Sequence, residues 1–560
     1  MKKFVILLLA VLATGCNLDE KLYNYVDEDG FIVDAASANN VLLGMYRQLG
    51  TNALYGYYLS IIYDLPTDIA KVDGHQNVNN RDICLNAHTP SHAYLLSTWG
   101  AAYKEIYYAN DFMERVAKAR PGMTEADQQK VDVYVAEART LRALMYFELT
   151  RLFGDIALLT TTEESHRHPS TFEQIPSSQI YDFVETELRE AAEALPWAMQ
   201  DAVRDDNSFM VSRESALGIL ARALVTRAGE PLKDASKWRE AADVCRRIIK
   251  EGGHSLLKNY EDLWKNVCNG VWDPTESLFQ ISFYSPTLSS NSSQNNSGYI
   301  GKWNGVYVVT NTSPLVRVDA RYRALPTFMG SWKDYDKDLR WSLSAADYYY
   351  DGTTKKSIST YSNKDISFEK AMAEGAQTGY RQPFKDGLYV AKYDLTKYVP
   401  MDKQISEGNY SNANWYLLRY ADVLLMYAEA LNEADCAPAD SAYAAVNAVR
   451  RRGFGLPEDD DSGVADLPAG MTQAQFRQAI RNERAYELCF EGQRKQDLIR
   501  WGIYYDSVMD TYNSLEGWRE GFGAYYLAGE FTIRGRHEIQ PIPQTELDLM
   551  KKFKQNPGWE

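Results

Sequence analysis

The sequence predicts a mostly α-helical protein whose antiparallel helix pairs support a loop-rich face with few short strands. Three observations predict it. Apolar residues recur at three- and four-residue steps in two regions, about 100–255 and 413–501. Small residues, Ala216, Ala221, Ala428, Ala430, Ala444 and Ala445, fall where paired backbones would approach. Residues of about 55–98 and 265–410 are instead rich in Gly, Asn, Asp and aromatic side chains and carry no helical period. The pairs look tetratricopeptide-like, although no regular repeat of about 34 residues runs through them.

The elements follow in chain order. Met1-Lys2-Lys3, an apolar run from Phe4 to Ala13, and Thr14-Gly15-Cys16 predict a secretory signal over residues 1–15. The run is too short for a bilayer span, which takes roughly 20 residues. Cys16 directly after the small pair resembles a bacterial lipoprotein signal, in which that cysteine becomes the acylated, palmitate-bearing N-terminus. Several acyl chains anchor stably where one does not. The alternative is a plain secretory signal with an incidental cysteine. Residues 16–30 would then be a tether and 31–560 a single domain. Within 131–153, Val135, Ala138, Leu141, Met145, Leu149 and Leu152 make one long stripe, ended by Gly154-Asp155. A helix opens at Ser177 and stops at Leu195-Pro196. Residues 212–228 and 238–249 form a pair joined by Gly229-Glu230-Pro231. The second region predicts helices over 416–433, 441–452 and 472–501. Residues 278–283 read as a strand. Residues 285–305 hold six Ser, four Asn and one charge, Lys302, and read as a loop. Glu458-Asp459-Asp460-Asp461 is a solvated acidic turn.

Composition narrows the function. The chain of 560 residues is 45% apolar and 24% charged, which is ordinary globular usage and excludes a disordered chain or a fibre. A net charge of −16 argues against nucleic-acid binding, which needs basic stripes. Losing Lys2 and Lys3 with the signal makes the mature chain more acidic still. The 39 Tyr, 19 Phe and 12 Trp are unusually many rings, and tyrosine, apolar on its faces and polar at its tip, suits half-wet binding surfaces. Five cysteines besides Cys16 have neither zinc nor Cys-x-x-Cys spacing and read as small buried residues. The count is odd and no two are close in sequence; a Cys245–Cys268 bridge is the alternative to free buried thiols. His166 and His168 beside Glu163 and Glu164 match no established metal-ligand pattern, and no cofactor is predicted.

Several segments, in order, carry a family likeness. They are Trp99 to Asn110, Ala136-Glu137-Ala138-Arg139 through Phe147 with Gly154-Asp155, and Leu418-Arg419-Tyr420-Ala421-Asp422 through Ala430. Asn447 to Arg452, Asn482-Glu483-Arg484 through Arg494, Asp497 to Gly502, and Pro541-Ile542-Pro543-Gln544 with Gln555 to Trp559 complete the set. Together they resemble the SusD/RagB family of Bacteroidetes outer-membrane lipoproteins, over nearly the whole mature chain. Asp19 and Glu20 resemble the surface-export signal of such lipoproteins. The resemblance implies one mostly helical body on the cell surface, a lid on a SusC-like TonB-dependent transporter, and delivery of glycan, or sometimes peptide, without catalysis. Read for themselves, Glu483, Arg484, Glu487, Glu491, Arg494 and Asp497 form one helix face able to pair with Arg450–Arg452. Trp559 reads as a packing anchor.

A glycan site needs ring planes for sugar C–H faces and polar groups for hydroxyls, displayed on loops. The strongest constellation is Trp303 with Tyr284, Tyr299 and Tyr307, interleaved with Asn291, Asn295, Asn296 and Asn304. The loop before Trp99 is second. There the resemblance places hydroxyl-binding groups and a ring, and Asp68, Arg81 and His88 are the favoured residues among Asp68, Asp73, Arg81, Asn86, His88, His92 and Tyr94. Trp99 reads as packing; Trp332 and Trp341 read as core or surface anchors. Tyr23, Tyr25 and the stretch before Phe31 are candidates for meeting the transporter. A surface glycoside hydrolase is the rival reading; it would need two carboxyls about 5–5.5 or 6.5–9.5 Å apart, and 76 acidic residues always offer such pairs in sequence.

Overall fold

Apolar spacing becomes helices through most of the chain. The computed structural model describes residues 30–72, 78–200, 209–283, 297–309, 317–358, 387–405, 410–516 and 526–560, with the backbone of two further short strands, Thr360–Tyr361 and Lys364–Asp365. Cys16, Tyr23, Tyr25, Asp73, Tyr284, Asn291, Asn295 and Asn296 lie outside the described residues. The longer helices are α1 (Ala35–Leu49), α2 (Tyr58–Asp64), α3 (Val78–Leu85), α4 (Ala93–Ala119), α5 (Glu125–Phe153), α6 (Ser177–Ala194), α7 (Arg213–Ala228), α8 (Lys237–Glu251), α9 (Tyr260–Cys268), α10 (Tyr420–Asp435), α11 (Asp440–Gly453), α12 (Gln473–Leu488), α13 (Arg494–Arg500) and α14 (Tyr504–Ser514).

Their ends follow capping chemistry. The Thr124 side chain accepts from the Asp127 N–H to open α5, and Gly154 at φ +73° closes it. Reciprocal side-chain caps open α7 (Ser212 with Ser215) and α12 (Thr472 with Gln475). The helices then pack in a series: α4 on α5, α5 on α6, α6 on α7, α7 on α8, α8 on α10, and α10 on α11 and α12. Helix α1 lies across α4 and α5. The C-terminal part of α5 is therefore buried nearly all round. Ala216, Ala221, Ala428 and Ala430 are fully buried at these approaches, whereas Ala444 faces solvent. The main apolar cluster runs from Ile32 to Phe553.

The strands are short: β1 (Ala70–Val72), β2 (Ser277–Ile281), β3 (Val308–Val309), β4 (Tyr322–Ala324), β5 (Ala345–Ala346), β6 (Tyr348–Asp351), β7 (Thr354–Ser357), β8 (Thr360–Tyr361), β9 (Lys364–Asp365), β10 (Leu388–Val390) and β11 (Trp415–Arg419). Antiparallel pairing orders four of them β1-β4-β10-β5, and β8 pairs β9. β2 pairs β11 antiparallel. β3 runs parallel to β6, which pairs β7 in an antiparallel hairpin.

Three expectations change. The helix expected from residue 416 begins at Tyr420, because Trp415–Arg419 is taken up as β11 beside β2. The helix expected over 472–501 breaks between Leu488 and Arg494, where Phe490 (φ +63°) and Gly492 (φ +75°) turn the backbone left-handed. Gly492 has no alternative: a Cβ there would lie 2.4 Å from the Trp415 ring, and its N–H donates to both buried Asp64 oxygens at 3.1 and 3.2 Å. Residues 55–98 are not all loop; they hold α2, β1, α3 and the start of α4. Helix α2 is buried too fully to show a polar face: all of it after Tyr58 is inside. Cys245 and Cys268 are both free thiols, each buried.

The acidic face of α12 closes on arginines as its spacing predicts, and draws in more. Glu487 takes Arg452 (2.6 Å), Arg419 (2.9 Å) and Arg340 (3.0 Å). Glu276 takes Arg419 and Arg452, Glu491 takes Arg419 and Lys392, Glu483 takes Arg340 and Arg450, and Asp338 takes Arg340. Burial pushes the Glu487 carboxyl up, but Arg452, Arg419 and Arg340 outweigh it and hold it well below the usual carboxylate range. Arg451 instead pairs with Asp466. Arg484 binds Asp422 and Asp497, and Arg500 binds Glu429. No described helix is long and apolar enough to cross a membrane.

Candidate ligand-binding site

Three segments meet beside α2. The Tyr299 N–H donates to the Gly56 carbonyl at 3.0 Å, and Gly298 and Ser411 exchange backbone hydrogen bonds of 3.1 and 2.9 Å. With the start of α4 they gather six rings. Tyr57 stacks on Tyr299, centroids 4.5 Å apart and planes at 23°, and lies 5.0 Å from Trp303. Tyr58 stacks on Tyr94 at 3.9 Å, and Tyr410 lies 5.0 Å from Tyr299. Tyr57 and Tyr94 are buried and make the floor; Tyr58, Tyr299, Trp303 and Tyr410 are half-buried above them. Asn80 ties the floor together, donating to the Tyr57 oxygen (2.5 Å) and accepting from the Tyr94 hydroxyl (2.9 Å). Burial pushes the Tyr57, Tyr58 and Tyr299 phenols up, so all three are neutral hydroxyls near pH 7.

Local turn chemistry holds Trp303 in place. The Gly301 N–H donates to Asn304 Oδ1 at 2.7 Å, and a Cβ at Gly305 would meet the Gly301 carbonyl oxygen at 2.0 Å. Lys302 points inward and donates to the Arg317 carbonyl at 2.8 Å; burial lowers its pKa to about 7. The Arg321 guanidinium, held by Asp319 at 2.9 Å, sits 5.5 Å from the Trp303 ring centre.

Beside the rings runs a cleft of about 800 Å³ between α1, residues 50–52 and α4. Met45, Gln48, Asn52, Tyr108, Ser297 and Tyr410 are among its walls, so Tyr410 belongs to both patch and cleft. Ring planes beside neutral hydroxyls and amides can hold a polar ligand that also has apolar faces. Among the described residues no group of three His, Cys, Asp or Glu side chains is placed to hold a metal ion.

The structure unites part of the expected constellation. Trp303, Tyr299 and Tyr94 stand in one patch. Tyr307 belongs to a second aromatic group, 6.1 Å from Tyr389 with parallel rings and 6.4 Å from Tyr349. Tyr284 lies outside the described residues. Asn304 is buried and occupied by its own turn. The three candidates from the loop before Trp99 have partners outside this patch. Asp68 is held by Arg494 at 2.6 and 2.8 Å. His88 is only 2% exposed, packed among His92, His537 and Trp559. The Arg81 guanidinium lies 5.4 Å from the Tyr526 ring. Asn86 is buried against Tyr504 and Thr532, and His92 caps α4. Trp99 and Trp559 are packing residues as expected. Trp332 stacks on Tyr486 in the core, and Trp341 donates to the Met329 carbonyl. Tyr57, Tyr58, Tyr410 and Arg321 were not anticipated. The Tyr55-Gly56-Tyr57-Tyr58 run, ring-dense in a stretch without period, is the signal that points to two of them.

Residues 276–559 match the model of the SusD family, and residues 18–224 match a SusD-like model described as starch-binding associating with outer membrane. The SusD-like protein P2 of Formosa agariphila is 26% identical over 521 residues, covering 89% of this chain and 91% of its own. The crystal structure of a SusD homolog from Bacteroides thetaiotaomicron is 43% identical and superposes with a TM-score of 0.89 over 95% of this chain and 98% of that one. A laminarin binding SusD-like protein, 22% identical, shares the fold at a TM-score of 0.68 over 94% of this chain and all of its own. The chain belongs to the SusD family, whose members bind without catalysing a reaction.

Proposed function

We propose that this chain is a cell-surface glycan-binding lipoprotein, acylated at Cys16 and held on the extracellular side of the outer membrane. It captures oligosaccharide and passes it to a SusC-like TonB-dependent transporter, over which it forms a lid. The observation that carries the glycan reading is the patch itself: four half-buried rings, Tyr58, Tyr299, Trp303 and Tyr410, beside an open polar cleft. Sugar C–H faces can stack on such planes, where aromatic contacts in general are worth about 0.5–1.5 kcal/mol each, and neutral hydroxyls and amides serve the hydroxyls. The family description as starch-binding and outer-membrane-associated supports the same reading, as does a relative named for laminarin binding.

Calorimetry of the mature protein against a panel of oligosaccharides and a peptide mixture tests it. At least one saccharide binds, is recovered uncleaved, and loses tenfold or more affinity with Trp303→Ala, while circular dichroism stays unchanged. Binding of peptide alone, or normal saccharide binding by the variant, would overturn the reading or its site.

A further inference from the structure

A second cavity opens where the end of α5, the start of α6, the end of α7 and the turn between α13 and α14 meet residues 534–557. Its volume is about 430 Å³, and it shares no wall residue with the cleft beside α1. Most of its wall is apolar or aromatic, with Leu232, Ile499, Ile539 and the rings of Tyr181, Tyr504 and Tyr505. Three polar side chains on that wall lack hydrogen-bond partners. Tyr181 is 4% exposed and Gln496 6% exposed, and neither the hydroxyl of the one nor the amide of the other is bonded among the described residues. Glu538 Oε2 is buried and also has no hydrogen-bond partner; Lys495 and Arg534 act on this carboxylate through space only. Several other polar wall groups are engaged elsewhere. The Thr150, Thr226 and Tyr504 hydroxyls donate to the Gly154, Arg222 and Pro66 carbonyls at 2.9, 2.7 and 2.8 Å. Arg151 is held by Glu148 and Arg500 by Glu429.

Buried donors and acceptors are normally paired, and an apolar hollow with a few polar groups is the usual form of a small-molecule site. The wall also selects the chemistry. A pyranose would bring a full shell of hydroxyls and leave most of them unpaired in an apolar enclosure. A hydrocarbon would leave Tyr181, Gln496 and Glu538 as they are. A flat ring with one or two hydroxyls meets both conditions. Its faces lie against tyrosine rings and aliphatic side chains, while its O–H donates to Glu538 or Gln496 and accepts from Tyr181. We propose that this cavity is a second ligand site, separate from the ring patch, and that it takes a small uncharged phenol.

Calorimetry of the mature protein with phenol, catechol and cyclohexanol as probes, and with glucose as competitor, tests the assignment. Phenol or catechol should bind saturably and at least tenfold more tightly than cyclohexanol, and a tenfold excess of glucose should not displace it. Tyr181→Phe and Gln496→Leu should each lower that affinity threefold or more, and Leu232→Trp, which fills the cavity, should abolish binding with circular dichroism unchanged. If Leu232→Trp fails to fold, Tyr181→Phe decides, since it removes a single oxygen. Cyclohexanol bound as tightly as phenol, or displacement by glucose, overturns the ligand class. No saturable binding overturns the site. So does phenol binding that the cavity variants leave unchanged and Trp303→Ala removes, because the probe would then sit on the ring patch.

Discussion

Glu105, on α4, is fully buried, and neither of its carboxyl oxygens has a hydrogen-bond partner. Burial pushes its pKa well above the usual carboxylate range, and Lys104 pulls it back only in part. The folded chain therefore holds a proton there that the unfolded chain releases near pH 4.3. Stability from this group is fully present below that pH and falls as pH rises toward the folded pKa. Glu105→Gln removes the dependence. We expect the variant to match the parent at pH 4.5 in urea unfolding and to exceed it at pH 8 by about 2 kcal/mol. An equal difference at both pH values would show the carboxyl to be solvated. Lys495, also buried and lowered to about 7, works in the opposite direction: its strain is relieved as pH rises above 7.

The break between α12 and α13 shows how an element boundary can be set by contacts far away in sequence. Gly492 combines a left-handed backbone with a Trp415 ring where its Cβ would go. Gly470 has the same backbone sign, φ +76°, but open space around it. Gly470→Ala should lower stability by about 1 kcal/mol, the left-handed strain alone. Gly492→Ala adds overpacking and should lower it by roughly 3 kcal/mol. Denaturant titration of both variants separates the two contributions, and equal losses would remove the steric argument. The same boundary explains the misread helix. Apolar and charged residues keep their three- and four-residue steps through 489–493, so local spacing continues although the chain does not. At β11 the error has the reverse origin: Trp415–Arg419 is buried on both faces, and a wholly buried strand shows no alternation.

Across the molecule, the long amphipathic helices, the Gly154 end of α5 and the pairing of α11 with α12 were legible, because one polar face and one apolar face leave a periodic record. The ligand patch was legible only in part. Trp303 announced itself as a tryptophan among Gly and Asn. Tyr57 and Tyr58 enter only because Gly56 meets Tyr299, a contact 243 positions apart that no local pattern records. Asp68 and His88 looked available as polar loop residues, but Arg494 and Trp559, from the far end of the chain, occupy them. Thiol chemistry gives a test of the assembled fold. Of the five described cysteines only Cys436 is exposed. In the native protein iodoacetamide should alkylate Cys436 well before Cys84, Cys245, Cys268 and Cys489, as peptide mass mapping would show. Equal rates would mean that the body opens readily.

The buried ion network joins five cations, Arg340, Lys392, Arg419, Arg450 and Arg452, to five carboxylates, Glu276, Asp338, Glu483, Glu487 and Glu491. All five cations precede three of the carboxylates in the order of synthesis. A growing polypeptide thus carries five cations with only Glu276 and Asp338 to pair them until residue 483 is made, and an interior so short of counter-charge is prohibitive. Water remains their only acceptable surrounding until residue 491 has emerged, so this part of the protein waits for its last tenth or so before it can shut.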